Sequence, residues 1–294
     1  MQNCGRSASG ASDFMLGRQI RLVALDLDGT FLDANHQVSP ANARAVRVLK
    51  QHGVPTVLVT GRRFRNVARI AQQYGLGDLA IVHNGALIRS CIDGALLYFE
   101  EIESALCRDV IEAGRGCGQF PFLHVNPSET RIYFERRAEE NRARGEYIAR
   151  NSPDMVPVDN LCDALDESRL IQMMFTHSIA PLQACRQCLL ENFSERATIL
   201  ETCYPERDHV FIDVIHANCS KGKALQWLMN RESLLPSQVM AFGDNHNDLE
   251  MLQVAGHSFL MDNAAGELKR YGFRIAPRND DDGVAKIIGE YWGG

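Results

Sequence analysis

The sequence has no long apolar run, because its longest apolar stretches are only the length of a β-strand. A helix that crosses a bilayer needs about 20 apolar residues, so we expect no membrane partner. Basic charge is not in excess either: 31 Lys and Arg face 37 Asp and Glu, which gives a net charge of −6. Proteins that neutralise many nucleic-acid phosphates usually show the opposite balance, so we expect no nucleic-acid partner.

Cysteine is present without a disulfide pattern, since the nine cysteines are an odd number at irregular spacing. Residues 1–17 lack the apolar stretch of a secretory signal, and we expect them to be a mobile tail. Together these features predict free thiols and a cytoplasmic location. Cys185 and Cys188 form a C-x-x-C inside a helix-like run, without the second pair that a zinc site needs. We interpret them as packed or solvated free thiols, and a special role for the pair stays open.

What is present is an ordinary globular composition, with 45% apolar and 23% charged residues in 294 residues. Ile20–Asp26 is a continuous apolar run that ends in a carboxylate, which is typical of a buried parallel strand. Ser39 and Pro40 indicate the start of a helix, and strands then alternate with helices as far as residue 86. This alternation predicts an α/β fold with a Rossmann-like parallel sheet flanked by helices.

The middle of the chain, residues 87–214, has a different rhythm. A predicted helix followed by two predicted strands occurs near each end of this region. Asn126–Glu129 is predicted to join two of the strands as a hairpin. We therefore predict an inserted α+β domain with its own sheet, within a catalytic core formed by residues 18–86 and 215–294. From residue 215 the α/β alternation returns, and it includes a predicted helix over Gly266–Tyr271.

Polar residues follow three of the predicted core strands. They are Asp26–Thr30 after the first strand, Thr60–Arg62 after the second, and Gly243–Asp248 after the strand predicted over Val239–Phe242. Ligands of open parallel sheets bind beyond the carboxyl ends of the strands, so we expect these segments to form one site. Asp26 and Asp28 would repel each other without a cation. Carboxylate ligands without His or Cys favour Mg²⁺.

Lys221 begins a predicted helix that Ser220 caps. A lysine at a helix N-terminus faces an unfavourable dipole unless an anion or a carboxylate offsets it. Two interpretations stay open from this position alone, namely a site lysine and a solvated surface lysine.

These segments resemble the motifs of the haloacid dehalogenase superfamily. Asp26–Thr30 matches its D-x-D-G-T signature, and Thr60–Arg62, Ser220–Gly222 and Gly243–Asp248 are similar to its second, third and fourth motifs in the expected order. The segments Asn84–Ala86 and Asn279–Ala285 resemble the Cof-like sugar-phosphatase branch, which carries a large α/β cap where the predicted insert lies. One departure is Asp262, which stands where that branch usually has Gly in M-G-N-A, and its role stays open.

The resemblance implies roles for the site residues. Asp26 would be the nucleophile that forms an aspartyl-phosphate, and Asp28 the general acid and base, with its backbone carbonyl on Mg²⁺. Asp244 would bind Mg²⁺ directly and Asp248 through water or a neighbouring group. The phosphate would be held by Thr60, Gly61, Lys221 and Asn247. Arg62 would contact substrate or pair with an acid, and Asn84 would contact substrate or serve as a turn residue.

The function that these residues predict is a Mg²⁺-dependent phosphatase acting on small phosphomonoesters such as a sugar phosphate, a nucleotide or a phosphorylated cofactor. The alternatives are a phosphotransferase or phosphomutase with the same nucleophile, or a non-catalytic ligand-binding relic. The expected partner is a small phosphorylated metabolite, and the expected state is a monomer or homodimer. All histidines except His246 are interpreted as structural, His36 among them, because they form no metal-ligand spacing.

Overall fold

The computed structural model describes residue 17 and residues 19–125, 131–136, 141–165 and 169–293. The predicted mobile tail, apart from residue 17, and the predicted hairpin turn over Asn126–Glu129 lie outside the described residues. The chain divides into two compact units. We call residues 1–97 with 220–294 the core unit, and residues 98–219 the inserted unit.

The strands and helices are numbered separately in chain order. The strands are β1 (Leu22–Asp26), β2 (Thr56–Val59), β3 (Leu79–Val82), β4 (Leu87–Ser90), β5 (Leu96–Phe99), β6 (Phe122–Val125), β7 (Ile132–Glu135), β8 (Met155–Val158), β9 (Leu170–His177), β10 (Ala197–Tyr204), β11 (His209–His216), β12 (Val239–Gly243), β13 (His257–Met261) and β14 (Arg274–Ala276). The helices are α1 (Pro40–Gln51), α2 (Phe64–Tyr74), α3 (Ser104–Gly116), α4 (Arg142–Asn151), α5 (Ile179–Phe193), α6 (Lys221–Arg231), α7 (Leu249–Val254) and α8 (Gly283–Trp292).

The core unit is built on an eight-stranded sheet in the order β14-β13-β12-β1-β2-β3-β4-β5. Every pairing from β14 to β3 is parallel, and β4 runs antiparallel to β3. The residues of β1, β2 and β12 are buried along their whole length, as expected for parallel strands covered on both faces. The predicted α/β fold with a parallel sheet is therefore confirmed.

The position of β1 in this sheet locates the ligand crevice. The chain runs from β1 to β2 and β3 on one side, whereas β12, β13 and β14 extend the sheet on the other side. The strand order thus reverses between β1 and β12, and open sheets bind ligands beyond the carboxyl ends of the strands at such a point. Asp26 is the last residue of β1, and Gly243 is the last residue of β12.

The helices of the core unit begin and end at residues that the sequence indicates. Ser39 caps α1, because its hydroxyl oxygen accepts a hydrogen bond of 3.0 Å from the backbone N–H of Asn42. Pro40 occupies the first turn, where its missing N–H costs nothing. Gly75 ends α2 in the left-handed conformation, at φ +65°. Helix α1 packs against α8, and α6 packs against α7.

The inserted unit has its own six-stranded sheet in the order β10-β11-β9-β6-β7-β8. Its pairings are antiparallel except that of β7 with β8. Helices α3 and α5 pack against each other and against the sheet over a buried apolar cluster that includes Val110, Phe175 and Leu189. Each unit therefore has a sheet of its own.

The structure differs from the sequence-based prediction in the extent of some elements. The insert was predicted from Leu87, but β4 and β5 continue the first sheet, so the compact inserted unit starts at Tyr98 and ends at Cys219. The helix predicted over Gly266–Tyr271 is wrong: only the 3₁₀ turn Leu268–Tyr271 forms, because Gly272 turns left-handed at φ +77° directly after it.

The cysteines behave as the sequence indicates. The eight that the structure describes are free thiols, and Cys185 and Cys188 both lie inside α5. Burial raises the pKa of Cys185 to about 12, so this thiol is a packing group. Over the described part of the chain, no helix combines the length and the apolar character that spanning a bilayer requires.

Candidate active site

Three carboxylates meet beyond the carboxyl ends of β1 and β12. Asp26 ends β1, Asp244 follows β12, and Asp248 lies in the short turn before α7. Each contributes one oxygen atom to a group in which all three atoms lie within 4.8 Å of one another. Asp26 is 3% exposed and Asp248 is fully buried, so bulk water does little to screen their mutual repulsion.

Lys221 supplies the positive charge within this group. Its Nζ atom lies 2.7 Å from Asp26 Oδ1 and 2.7 Å from Asp248 Oδ1. The side chain is buried at the first turn of α6, whose N-cap Ser220 accepts a hydrogen bond from the backbone N–H of Lys223. Burial alone would lower the pKa of Lys221, but Asp248 and Asp26 raise it above its ordinary value. The structure therefore favours the site lysine over the solvated one.

One lysine does not balance three carboxylates. Burial and then the charge of Asp248 raise the pKa of Asp26 well above its ordinary value. The same two causes raise the pKa of Asp244 to about 7. In addition, Asp26 Oδ2 is buried and has no hydrogen-bond partner among the described residues. An unpartnered carboxylate oxygen beside a second carboxylate fits a hard divalent cation, and an oxygen-only donor set favours Mg²⁺.

Asp248 organises the loop that carries Asp244. Its Oδ2 atom accepts hydrogen bonds of 3.0 Å from the backbone N–H groups of both Asp244 and Asn245. Its Oδ1 atom is the one bound by Lys221. Because both oxygens of Asp248 are engaged, Asp26 and Asp244 offer the better direct ligands for a cation.

Thr30 and Gly29 fix Asp244 from the opposite loop. The hydroxyl group of Thr30 donates a hydrogen bond of 3.1 Å to Asp244 Oδ1. Gly29 has φ +81°, and a Cβ atom at this position would stand 2.2 Å from Asp244 Oδ2. Any side chain there would displace the carboxylate. Sequence analysis assigned no role to Thr30, although its place in the signature segment was a signal for one.

Asp28 has a different environment from Asp26. The Nε atom of Arg62 donates to Asp28 Oδ2 at 2.7 Å, and its Nη2 atom donates to Oδ1, so the contact is bidentate. His36 Nδ1 lies 3.2 Å from the same Oδ1. Burial opposes the ionised form, but the hydrogen bonds from His36 and Arg62 hold the pKa of Asp28 well below its usual range. Arg62 thus pairs with an acid, which was one of its two predicted roles.

The contact of His36 with Asp28 was not predicted, since His36 was interpreted as structural. No motif in the sequence signals this contact. It depends on a turn that returns the chain to Asp28 eight residues later.

The remaining predicted residues line a polar loop cluster beside these carboxylates. Thr60 Oγ1 accepts a hydrogen bond of 3.1 Å from the backbone N–H of Arg62. Asn84 is buried at φ +54°, and its Oδ1 accepts a hydrogen bond of 3.0 Å from Asn247 Nδ2. A Cβ atom on Gly61 would lie 3.0 Å from the Asn84 amide group, so glycine lets these loops approach. Asn247 Oδ1 is buried without a partner among the described residues.

Asp262, whose role was left open because its position usually holds glycine in the Cof-like branch, forms an ion pair with Lys269. It is exposed, and Lys269 Nζ lies 2.6 Å from its Oδ1. The hydrogen bond and charge of Lys269 lower the pKa of Asp262. The next residue, Asn263, is the one that reaches the signature loop, because its Nδ2 donates to the backbone carbonyl of Gly29 at 2.8 Å. Sequence analysis missed this role of Asn263.

Hydrogen bonds therefore link the predicted residues into two sets. One joins Asp26, Lys221, Asp248 and Asp244; the other joins Asp28, Arg62, Thr60, Asn84 and Asn247. Buried carboxylates and a buried lysine thus lie beyond the carboxyl ends of parallel strands, at the point where the strand order reverses, which is where open α/β sheets of enzymes bind their ligands.

Comparison with known proteins gives the family. The model of the haloacid dehalogenase-like hydrolase family matches residues 23–288, so the chain belongs to this family. A Streptococcus pyogenes protein that carries a phosphatase name is 29% identical over 92% of this chain and 97% of its own length. The 5-amino-6-(5-phospho-D-ribitylamino)uracil phosphatase YitU of Bacillus subtilis is 27% identical, over 92% of this chain and 97% of its own. The chain is thus a hydrolase of the phosphatase branch of the family.

Solved structures give the same fold. An X-ray structure of a Thermotoga maritima protein matches with a TM-score of 0.77 at 23% identity, over 92% of this chain and 96% of the other. The expected membership of the haloacid dehalogenase superfamily, in its Cof-like branch, is confirmed.

Proposed function

We propose that this protein is a Mg²⁺-dependent phosphatase that hydrolyses small phosphomonoesters through a phosphorylated aspartate. The observation that carries the proposal is the environment of Asp26. Its Oδ1 atom is fixed by Lys221, and its Oδ2 atom is buried without a hydrogen-bond partner among the described residues. A carboxylate held in this way is suited to attack phosphorus once a cation offsets the local negative charge.

The cation site would be formed by Asp26 and Asp244, with the backbone carbonyl of Asp28. A bound Mg²⁺ would supply positive charge to the phosphoryl group as it is transferred. Lys221 would add a second positive charge from its place between Asp26 and Asp248. Thr60, Gly61 and Asn247 lie on neighbouring loops and would donate hydrogen bonds to the phosphate oxygens.

The reaction would proceed in two displacements at phosphorus, the first by Asp26 and the second by water. A carboxylate oxygen forms a bond to phosphorus, the bond from phosphorus to the leaving oxygen breaks, and the leaving oxygen takes a proton from Asp28. Water then attacks phosphorus while Asp28 accepts its proton, the bond from phosphorus to the Asp26 oxygen breaks, and inorganic phosphate leaves with the Asp26 carboxylate restored. In the arrangement described here Asp28 is an ion-paired carboxylate, so it must receive its proton, and loosen from Arg62, as substrate binds.

The substrate class that we propose is a small phosphorylated metabolite: a sugar or polyol phosphate, a nucleotide or a phosphorylated cofactor. The name of one relative, a phosphatase for a phosphorylated ribitylamino compound, supports this class. We include a cytoplasmic location in the proposal because the eight described cysteines are free thiols. A monomer or a homodimer would satisfy the site, since all its proposed residues come from one chain.

The test is release of inorganic phosphate from a panel of phosphomonoesters. We expect turnover of at least one sugar phosphate, nucleotide or cofactor phosphate with Mg²⁺, no turnover in excess chelator, and recovery when Mg²⁺ is returned. Ca²⁺ should bind but support little turnover, because it prefers a looser and larger coordination shell. Full activity in chelator would remove the metal from the proposal. Transfer of phosphate to a sugar hydroxyl without release into water would instead identify a phosphotransferase or mutase.

A further inference from the structure

The turn that carries His36 is closed by hydrogen bonds at every position. The backbone N–H of Asp33 donates to the Gln37 carbonyl at 2.9 Å, and the N–H of His36 donates to the Asp33 carbonyl at 2.9 Å. The side chain of Asp33 accepts two more hydrogen bonds of 2.9 Å, from the N–H groups of Asn35 and Gln37. These bonds leave the turn little freedom to move relative to the signature loop.

The same turn is anchored from a distant part of the chain. Asp280, in the loop before α8, accepts a hydrogen bond of 2.9 Å from the backbone N–H of Ala34. At the centre of the turn His36 has φ +57°, a left-handed conformation that glycine adopts without strain and that histidine tolerates better than most side chains. The backbone therefore permits histidine here without requiring it, and the contacts of its ring are what distinguish it.

The ring has a specific contact. Its Nδ1 atom lies 3.2 Å from Asp28 Oδ1, and the Nη2 atom of Arg62 lies 3.3 Å from the same nitrogen. We propose that His36 is a positioning residue for Asp28, and that the Nδ1–H group of its ring holds the Asp28 carboxyl group in the orientation from which it protonates the leaving oxygen. This inference rests on the proposed phosphatase function.

Arg62 binds both oxygens of Asp28, but its side chain can change rotamer. This long side chain has several rotatable bonds, so it can turn toward a bound anion. His36 has a short side chain on a turn that five hydrogen bonds hold in place. When Arg62 moves toward substrate, the contact with His36 would remain to define where the Asp28 carboxyl group lies.

Three substitutions separate this role from a structural one. Asparagine places its Nδ2 donor where histidine has Nδ1, and it tolerates φ > 0. Glutamine places its donor one bond farther out and does not suit the left-handed turn. Glycine suits the turn best but has no donor. If residue 36 matters only for the backbone of the turn, the stability of the protein should decrease in the order Gly, Asn, His, Gln at this position. Positioning of Asp28 predicts instead that activity is kept by Asn and lost in both Gly and Gln.

The expected effect also depends on the leaving group. The measure is kcat/KM, which reports the steps up to phosphorylation of Asp26. For an alkyl phosphate, whose leaving oxygen must be protonated, we expect His36→Gly and His36→Gln to lower kcat/KM by about 10–100-fold. For p-nitrophenyl phosphate, whose leaving group needs little help, the loss should be under about 3-fold, since only acid catalysis is affected. His36→Asn should stay within about 3-fold of wild type for both substrates.

The control is Ser233→Gly. Ser233 is exposed, has φ +52° and lies at the far end of α6 from Lys221, so the substitution relieves a similar backbone conformation outside the site. It should leave both kcat/KM values unchanged, while His36→Gly should match or exceed wild type in Tm. Equal losses for the alkyl and aryl substrates, or wild-type kcat/KM in His36→Gly, would overturn the role of His36. A wild-type protein that hydrolyses neither substrate with Mg²⁺ would overturn the proposed function itself, and this inference with it.

Discussion

The core unit and the inserted unit both bury charged side chains, but they do so with different charge balances. In the inserted unit, Glu135 is fully buried and pairs with Arg115, and its Oε1 atom also accepts a hydrogen bond from the backbone N–H of Leu161 at 3.1 Å. In the core unit, three carboxylates lie close together, and Lys221 contacts two of them, Asp26 and Asp248. In the inserted unit Arg115 pairs with the buried Glu135 and the exposed Glu112, so only one of its two carboxylates is buried.

This difference separates a structural ion pair from a group of carboxylates that could hold a metal ion. Arg115 also donates to Asn160 Oδ1 at 2.7 Å, so the Glu135 pair fastens α3 and β7 to the turn that begins at Leu161. At Asp26 and Asp244, burial and the neighbouring carboxylates raise both pKa values, and the proposed cation would offset this excess of negative charge.

The largest expected effect comes from removing the nucleophile. Asp26→Asn should lower Mg²⁺-dependent phosphate release by about 10³-fold or more, because an amide does not attack phosphorus. The fold should survive, since the change removes one of three repelling charges. Phosphate release and circular dichroism of the purified variant test this. A residual rate above a few per cent of wild type would contradict catalysis through a phosphorylated Asp26.

The second prediction compares the cations that contact buried carboxylates in the two units. Lys221→Met and Arg115→Met should each lower the free energy of unfolding by about 3 kcal/mol in chelator, because each removes a cation from a buried carboxylate. Mg²⁺ should restore part of this loss in Lys221→Met and none of it in Arg115→Met. Urea unfolding with and without Mg²⁺ measures both. The same response to Mg²⁺ in the two variants would show that the charge imbalance in the core unit is not a cation site.

The third prediction concerns pH in the absence of metal. An exposed aspartate has a pKa of about 4, whereas that of Asp244 in the folded protein is about 7. Between these values the folded state holds the proton more tightly, so stability in chelator should fall as pH rises from 5 to 8. We expect Tm to drop by at least about 3 °C over this range. The Tm increase caused by Mg²⁺ should grow with pH, because ionised carboxylates bind the cation; an increase that shrinks with pH would contradict this.

The smallest effects are expected at the C-x-x-C pair. Cys185→Ala should cost about 1 kcal/mol, since it removes a buried thiol from the apolar cluster of the inserted unit. Cys188→Ser should cost less than about 0.5 kcal/mol, because Cys188 is only half-buried. Neither should change phosphate release or its dependence on Mg²⁺. A loss of activity in either variant would assign these thiols a role beyond packing.

The sequence predicted the carboxylates because their positions follow from local pattern. Asp26 and Asp244 come directly after buried apolar strands, and parallel strands bring their carboxyl ends to one edge. The cap and the unfavourable helix dipole left Lys221 open between a site lysine and a surface lysine, and only the resemblance to the superfamily motif assigned it to the site. The positions of the carboxylates require only the order of strands and helices, and the alternation of apolar and polar segments predicts that order.

What the sequence did not predict depends on side-chain contacts across loops. The contact of His36 with Asp28 requires the closed turn around Asp33, and the hydrogen bond from Asn263 to Gly29 joins residues far apart in the chain. The strands β4 and β5 were not predicted, because they extend the core sheet through the pairing of β4 with β3 and the place of β5 beside β4. Such pairings are decided by tertiary packing, and the local pattern does not contain them.

The neighbours of β1 in the sheet set the order in which the site is completed. Leu22 pairs with Val239, so strand β12 joins β1 only after the whole inserted unit has been synthesised. A ribosome-bound chain that ends before residue 239 already has Asp26 and Asp28 but has no Asp244, and β1 lacks one of its two partner strands. Pairing across so long a stretch of chain comes late in synthesis, and any truncation that removes β12 and the chain after it removes Asp244, Asp248 and one neighbour of β1 together.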